Sequence, residues 1–302
     1  MTAPFALDVR YYRLSEGLQP YFTALYAFEF DCGPGQIIED HLHPEWAQMR
    51  FTVGPVPLAT IGPGPLVPQW PFVASGPTSR PIRFGITTGR VWGLGLLPAG
   101  WAKFATGPAR AVADKTVDGS THPSFKLFAP IQAMVQDSAA EPDEIAARIN
   151  AFLMGQIERP VKQLELIIAC HEALRDPEIA NVGELGERLR LGARSLERLC
   201  ARYFGFPPKL LLRRQRFLRS LAQFMLNSTR RWSAALDEQY YDQAQFVKDF
   251  RSFMGITPSE YAEMPHPILE TIMAQRMADA GAAPATDLPT VLRYGGGEAS
   301  AD

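Results

Sequence analysis

The sequence predicts an α+β chain: an N-terminal, mostly β domain of barrel or sandwich type, then a C-terminal all-α domain built from two helix-turn-helix units. Three observations predict it. Residues 1 to about 125 break into short apolar stretches separated by Pro- and Gly-rich turns. From about Phe125 onward the apolar residues recur at helical spacing. Within that helical part, one segment occurs twice at a fifty-residue offset.

In the first part, Tyr21–Phe30, Met49–Val53, Ile82–Thr87 and Val91–Leu97 read as strands, with turns at Gly33-Pro34-Gly35 and Gly62-Pro63-Gly64-Pro65. Ser124–Asp137 and Pro142–Glu158 read as helices. Ile145, Ile149, Phe152, Leu153 and Ile157 share one face of the second, a candidate dimerisation face. The expected division is a β-rich sensing or dimerisation domain (1–125), a helical connector (126–159), a double helix-turn-helix domain (160–265) and a partly disordered tail (266–302) rich in Ala, Gly and Pro.

At 302 residues, 46% hydrophobic and 21% charged, the chain has the profile of a soluble protein with room for two cores. No apolar run is long enough to span a bilayer, and no basic-then-apolar leader opens the chain. Three widely spaced cysteines, Cys32, Cys170 and Cys200, argue against a disulfide scaffold and for a cytoplasmic location. No Ser/His/Asp arrangement, phosphate loop, dinucleotide motif or zinc spacing stands out, so the expectation is a non-enzyme without a cofactor. Net charge is only −2, but its distribution is uneven. Between Arg188 and Arg219 ten basic residues face one acid, Glu197, a local charge of +9 and the footprint that phosphate binding requires.

The duplicated segment aligns Arg194–Pro208 with Ala244–Pro258. Leu196 falls on Phe246, Cys200 on Phe250, Tyr203 on Phe253, Gly205 on Gly255 and Arg198 on Lys248. Each copy reads as a helix of about three turns closed by a left-handed glycine. Upstream of the first copy, Asn181 with Glu184 forms a capping-box pattern for a short helix that turns at Leu191-Gly192. Upstream of the second, Trp232–Glu238 reads as the short helix, Gln239-Tyr240-Tyr241 as the turn, and Asp242 with Gln245 as the next cap. Thr257-Pro258-Ser259-Glu260 opens one more helix. Between the units, Lys209–Leu226 reads as one long helix with Leu212, Phe217, Leu221, Phe224 and Met225 inward and Arg213, Arg216 and Arg219 outward.

These residues resemble the C-terminal domain of the AraC/XylS family of bacterial transcription regulators. The resemblance is carried by Leu185, Leu189 and Leu191, by Arg194–Leu199, Gly205–Pro208 and Arg216-Phe217, and above all by Tyr240–Phe246, Phe250-Arg251 and Gly255–Tyr261. It covers about a third of the chain. It implies seven helices, with two reading helices in successive major grooves about 34 Å apart. Carried over, the base-reading positions are Arg194, Ser195, Glu197 and Arg198 in the first helix, and Gln243, Ala244, Gln245 and Lys248 in the second. Arg suits guanine and Gln suits adenine, whereas Glu197 is better suited to pairing with a neighbouring Arg. Arg202, Lys209 and Arg251 are placed for phosphates. Two positions depart from the pattern: Gln239 stands where the second turn usually has Gly, and Gly192 where a Ser or Thr cap is usual.

Tyr12 onward, with Pro20-Tyr21-Phe22, Gly76-Pro77-Thr78 and Leu97–Gly100, resembles a cupin-like N-terminal sensing domain carried by some of these regulators. His41 and His43 alternate as metal ligands would, but the carboxylate expected four or five residues later is absent, and no metal is expected. Trp46, Trp70 and Trp92 are candidates to line a pocket for a small apolar or aromatic effector, or else to form ordinary core. The expected function is a cytoplasmic, homodimeric regulator that binds double-stranded DNA and responds to an effector. The alternatives are a cupin-type metalloenzyme fused to a DNA-binding domain and a constitutive DNA-binding dimer with no effector.

Overall fold

The computed structural model describes residues 5–226, 232 and 236–278. The N-terminal part is built on two antiparallel sheets. The larger has the order β1-β2-β9-β4-β7-β10, from strands Ala6–Tyr12 (β1), Phe22–Asp31 (β2), Ala47–Val53 (β4), Phe72–Ser75 (β7), Gly89–Leu96 (β9) and Thr116–Asp118 (β10). The smaller has the order β3-β8-β5-β6, from Ile38–Leu42 (β3), Leu58–Ile61 (β5), Val67–Pro68 (β6) and Ile82–Ile86 (β8). Ten strands in the N-terminal part and helices in the C-terminal part are the architecture the sequence predicts.

Strand β2 shows why the sequence is so apolar here. Its side chains alternate between the two faces of the sheet. Leu25 and Ala27 enter one core, while Tyr26, Phe28 and Phe30 enter another. A strand covered on both faces carries a near-continuous apolar run. On its neighbour β9, Gly93 leaves space for the Tyr26 ring: a Cβ there would meet that ring at 1.9 Å.

The first core is covered by helices Pro98–Phe104 (α1), Pro130–Val135 (α2) and Pro142–Met154 (α3). Ile145, Ile149 and Leu153 of α3 are buried in it. The apolar face of α3 is therefore internal and is not a dimerisation surface. The same core runs on without interruption into the C-terminal part, through helices Leu164–Arg175 (α4), Val182–Leu189 (α5) and Ala193–Leu199 (α6), the π-helical turn Cys200–Phe204 that extends α6, and Leu211 and Leu212 of the long helix Pro208–Leu226 (α7). A separate aromatic core holds the rest: Phe217, Leu221 and Phe224 of α7, Phe246, Phe250 and Phe253 of helix Gln243–Met254 (α8), and Tyr261 of helix Pro258–Glu263 (α9). Helix α7 thus has one half in each core. The short helix expected at Trp232–Glu238 falls partly outside the described residues. Trp232 itself stacks on Phe224 at 3.7 Å and donates from Nε1 to the carbonyl of Pro258.

The residues after Pro265 do not begin as a loose tail. Pro267–Ala278 forms a helix (α10), and Ile268 and Ile272 join the second core of the β domain. Its N-terminus is capped from a distant strand. The buried carboxylate of Asp40 on β3 accepts the backbone N–H of Ile268 and of Leu269, each at 2.9 Å, and lies 3.3 Å from Nδ1 of His266. A carboxylate facing unsatisfied helix N–H groups also complements the helix dipole. Among the described residues no helix is long and apolar enough to cross a membrane. Replacement of Asp40 by Ala is expected to cost about 2 kcal/mol of stability, since it removes a cap and strands buried N–H groups. Urea unfolding of the variant against wild type measures this, and an unchanged midpoint would dismiss the capping role.

Candidate nucleic-acid interface

The caps that shape the two helix-turn-helix units are those the sequence spells out. Asn181 accepts from the Glu184 N–H at 3.0 Å, and Glu184 reaches back to the Ala180 N–H at 2.7 Å. Asp242 accepts from the Gln245 N–H at 2.7 Å. Thr257 and Glu260 form a reciprocal capping box. Gly205 and Gly255 close the two long helices with φ of +86° and +77°, conformations that cost glycine little.

On α6, Arg194, Glu197 and Arg198 are exposed and Ser195 is half-buried, while Leu196, Leu199 and Cys200 point inward. Arg198 lies 3.5 Å from Ser195 Oγ. On α8, Gln243, Ala244, Lys248 and Arg251 are exposed over Phe246 and Phe250. Gln245 is half-buried, and its Oε1 accepts from the Tyr241 N–H at 3.1 Å, so that side chain serves the turn as well as the surface. Arg202 and Lys209 are exposed. Tyr241, at 94% exposure, stands just before α8. The sequence places it in the turn Gln239-Tyr240-Tyr241 and gives it no surface role.

The basic run divides in two. Arg188, Arg190, Arg194, Arg198, Arg202 and Lys209 are exposed. The four arginines of α7 are engaged as struts, which corrects the outward placement expected for Arg216 and Arg219; Arg213 is half-exposed but bound to the same carboxylate as Arg216. Arg213 and Arg216 both bind the buried carboxylate of Asp249 on α8, at 2.6 and 2.9 Å. Arg219 pairs with Asp237, and its guanidinium also donates to Gln239 Oε1 at 3.0 Å. Arg214 is buried between the two parts of the chain. The reason is spacing: the acids that neutralise Arg213, Arg216 and Arg219 lie about twenty to forty residues downstream, invisible in a local charge count. The exposed footprint is therefore six cations rather than ten.

The left-handed residue sits in the first turn and not the second. Arg190 has φ +53°, whereas Gln239 is absent from the positive-φ residues among those described. Gln239 is instead tied down by its own hydrogen bonds, from its N–H to Asp237 and from Nε2 to the Pro177 carbonyl. Gly192 sits at the start of α6 with extended φ and ψ and no side-chain cap.

The tryptophans are placed differently from one another. Trp92 is buried and stacked on Tyr12 at 5.2 Å; Trp46 is buried beneath Arg214; Trp70 is largely exposed. None of them lines the cavity that lies between the two sheets. That cavity, about 80 Å³, is lined by Tyr26, Phe28, Phe30, Phe84, Ile86 and other apolar side chains, with Ile268 and Ile272 of α10 on one side. Its polar groups are few: the Arg50 guanidinium, which pairs with Glu45 at 2.5 Å, and Gln69, Ser75 and Thr116. Ser75 Oγ and Gln69 Oε1 have no hydrogen-bond partner among the described residues. His41 and His43 lie at the margin between the parts. His43 Nε2 meets the Tyr261 hydroxyl at 2.7 Å, and burial pushes its pKa down to about 3, so the ring there is neutral. No group of three His, Cys, Asp or Glu among the described residues is arranged to hold a metal ion. All three cysteines are free and buried.

A family model described as a helix-turn-helix domain matches residues 185–264, from α5 to the end of α9. No curated protein sequence matches the chain. Among solved structures, an apo variant of ToxT from Vibrio cholerae is 11% identical and covers 87% of this chain and 98% of its own, with a TM-score of 0.40. Wild-type ToxT from the same organism, bound to an unsaturated fatty acid, is 10% identical, with coverages of 86% and 95% and a TM-score of 0.38. The AraC-like transcriptional activator CuxR is 13% identical, with coverages of 72% and 87% and a TM-score of 0.29.

Replacing Asp249 by Ala strands two guanidinium groups and is expected to cost about 3 kcal/mol. Chemical unfolding would show the loss, and a variant as stable as wild type would mean that Arg213 and Arg216 act as surface residues after all.

Proposed function

We propose that this chain, whose residues 185–264 form an AraC-type helix-turn-helix domain, is a transcription regulator that reads DNA with α6 and α8 in successive major grooves. The observation that carries the reading is the paired arrangement of the two helices. Each buries one face in its own core and presents a polar, cationic face to solvent, Arg194 and Arg198 on α6, Gln243 and Lys248 on α8. Arg194, Ser195, Arg198, Gln243, Gln245 and Lys248 are the base-edge readers in this proposal, and Arg202, Lys209 and Arg251 the phosphate contacts. Tyr241 adds an exposed ring and hydroxyl at the head of α8.

The proposal includes an effector in the cavity between the sheets. Its lining favours a small, mainly apolar or aromatic molecule with one hydrogen-bonding group, because Ser75 Oγ and Gln69 Oε1 are buried there without partners. A buried polar atom without a partner is costly, and a ligand that satisfies it recovers that cost. Helix α10 couples the cavity to the reading domain. Ile268 and Ile272 face the ligand space, and α10 follows directly on α9, whose Tyr261 packs with Phe250 of α8. Pairing of two copies, expected from the resemblance, has to use a surface other than the buried face of α3.

In a selection from random genomic DNA, the expected result is a motif with two contact regions one helical turn apart. Arg198→Ala and Lys248→Ala each weaken binding roughly 5- to 150-fold, corresponding to about 1–3 kcal/mol for a base contact. Binding without sequence preference, insensitive to both residues, would sink the two-helix reading. For the cavity, Ser75→Ala is expected to raise the stability of the free protein by about 1 kcal/mol, by removing an unpaired hydroxyl. It should also shrink the melting-temperature shift produced by apolar acids, alcohols and amides. A panel that shifts neither protein would remove the effector from the proposal.

A further inference from the structure

We propose that the groove between the N-terminal domain and α6 binds DNA backbone phosphates, so that the N-terminal domain is itself part of the DNA interface. This rests on α6 being a DNA-reading helix and extends the contact surface to residues outside the helix-turn-helix units.

Two open hollows adjoin along this groove. One is lined by Arg110, Arg198, Arg202 and Ser195, the other by Arg159, Lys162 and Arg202. Gln163 and Tyr203 belong to both. Among the described residues no Asp or Glu lines either hollow. Five exposed cations therefore converge from three separate segments: the 3-10 turn Ala109–Ala111, the stretch leading into α4, and α6 with its π-helical extension. Like charges held this close repel one another, and an anionic partner relieves that repulsion.

The groove is not free to move away from α6. Ala109, Val112, Cys200 and Phe204 are buried in one shared core, so Arg110 travels with the flank of α6. Gln163, where the two hollows meet, is held in the left-handed region at φ +62°, an uncommon conformation for a residue with a side chain and of the kind that collects at binding sites. When Ser195 and Arg198 face base edges in a major groove, Arg110 and Arg202 lie beside them, where the bordering phosphates pass. A small anion would engage two or three of these cations, whereas a line of cations across two hollows matches a polyanion.

The test is a salt titration of DNA binding by the full-length chain, with Arg110→Ala and Lys162→Ala compared with wild type on the selected site. Removing one cation that neutralises a phosphate should lower the slope of log K against log salt by about 0.9. Affinity at fixed salt should fall severalfold with the preferred sequence unchanged, and Arg110→Glu should fall further than Arg110→Ala. Arg10→Ala, an exposed arginine on β1, should match wild type. Unchanged slopes in both alanine variants, with wild type still selecting its sequence, overturn the inference and leave the DNA-reading function standing. Protection of wild type against melting by inorganic phosphate, abolished in Arg110→Ala while the slopes stay the same, reassigns the groove to a small anion and overturns it as well. Failure of wild type to select any sequence overturns the DNA-reading function, and this inference with it.

Discussion

The buried guanidinium of Arg214 is the contact on which the arrangement of the two parts depends. It lies 3.9 Å above the ring of Trp46, and it donates to the carbonyls of Thr78 and Glu45 at 3.0 and 3.3 Å. Those carbonyls are presented by a locked corner of the β domain: Glu45 and Thr78 are joined by two further hydrogen bonds, and the Glu45 carboxylate is held by Arg50. Arginine suits the position because its planar fork can stack on an indole while still donating at its edge. A charge so deep in protein is tolerable only when solvated by fixed dipoles, so the α7 helix and the Trp46 corner hold each other in a single register. Trp46 also packs edge-on against His171 of α4 and Phe204 of the π-helical turn, which draws the first helix-turn-helix unit into the same contact.

Helices α6 and α8 are consequently anchored in different ways. Helix α6 is seated on a core continuous with the large sheet, and its position follows from that of the β domain. Helix α8 rests on a second core, joined to the first along α7 and braced by the Asp249 pairs with Arg213 and Arg216. The other link of that second core to the β domain passes through α9 and α10, where Tyr261 meets His43 and Asp40 caps the last helix. Ile268 and Ile272 set α10 against the space between the sheets, and α9 connects α10 to the core beneath α8.

Much of the architecture was legible because it is written in local rules. The strands of the N-terminal part announce themselves by β-branched and aromatic runs between Gly- and Pro-rich turns, and the four stretches singled out lie on β2, β4, β8 and β9. The helix boundaries at Asn181, Asp242, Thr257, Gly205 and Gly255 follow from caps and left-handed glycines, interactions that span only three to five residues. The inward positions of the repeat, such as Leu196 and Phe246, follow from helical period alone. The helix that opens the tail was not legible: α10 owes its start to Asp40, more than two hundred residues away in sequence, and no local signal records that partner.

What the sequence by itself determined is which apolar residues of α6 and α8 share an inward face, where the capped helices α5, α8 and α9 begin, where Gly205 and Gly255 end theirs, and that two such units stand in tandem. The tertiary structure alone decided which charges are surface and which are struts. Arg194, Arg198 and Arg202 stay in solvent, while Arg213, Arg214, Arg216 and Arg219 are engaged inside the fold by Asp249, Asp237 and the Trp46 corner. It alone decided, too, that Trp46 and Trp92 fill cores rather than the cavity, and that the apolar face of α3 is internal. The physical reason is the same in each case. Capping and periodicity are short-range and repeat along the chain, whereas the partner of a buried charge or an aromatic ring is set by which distant surfaces the packing brings together.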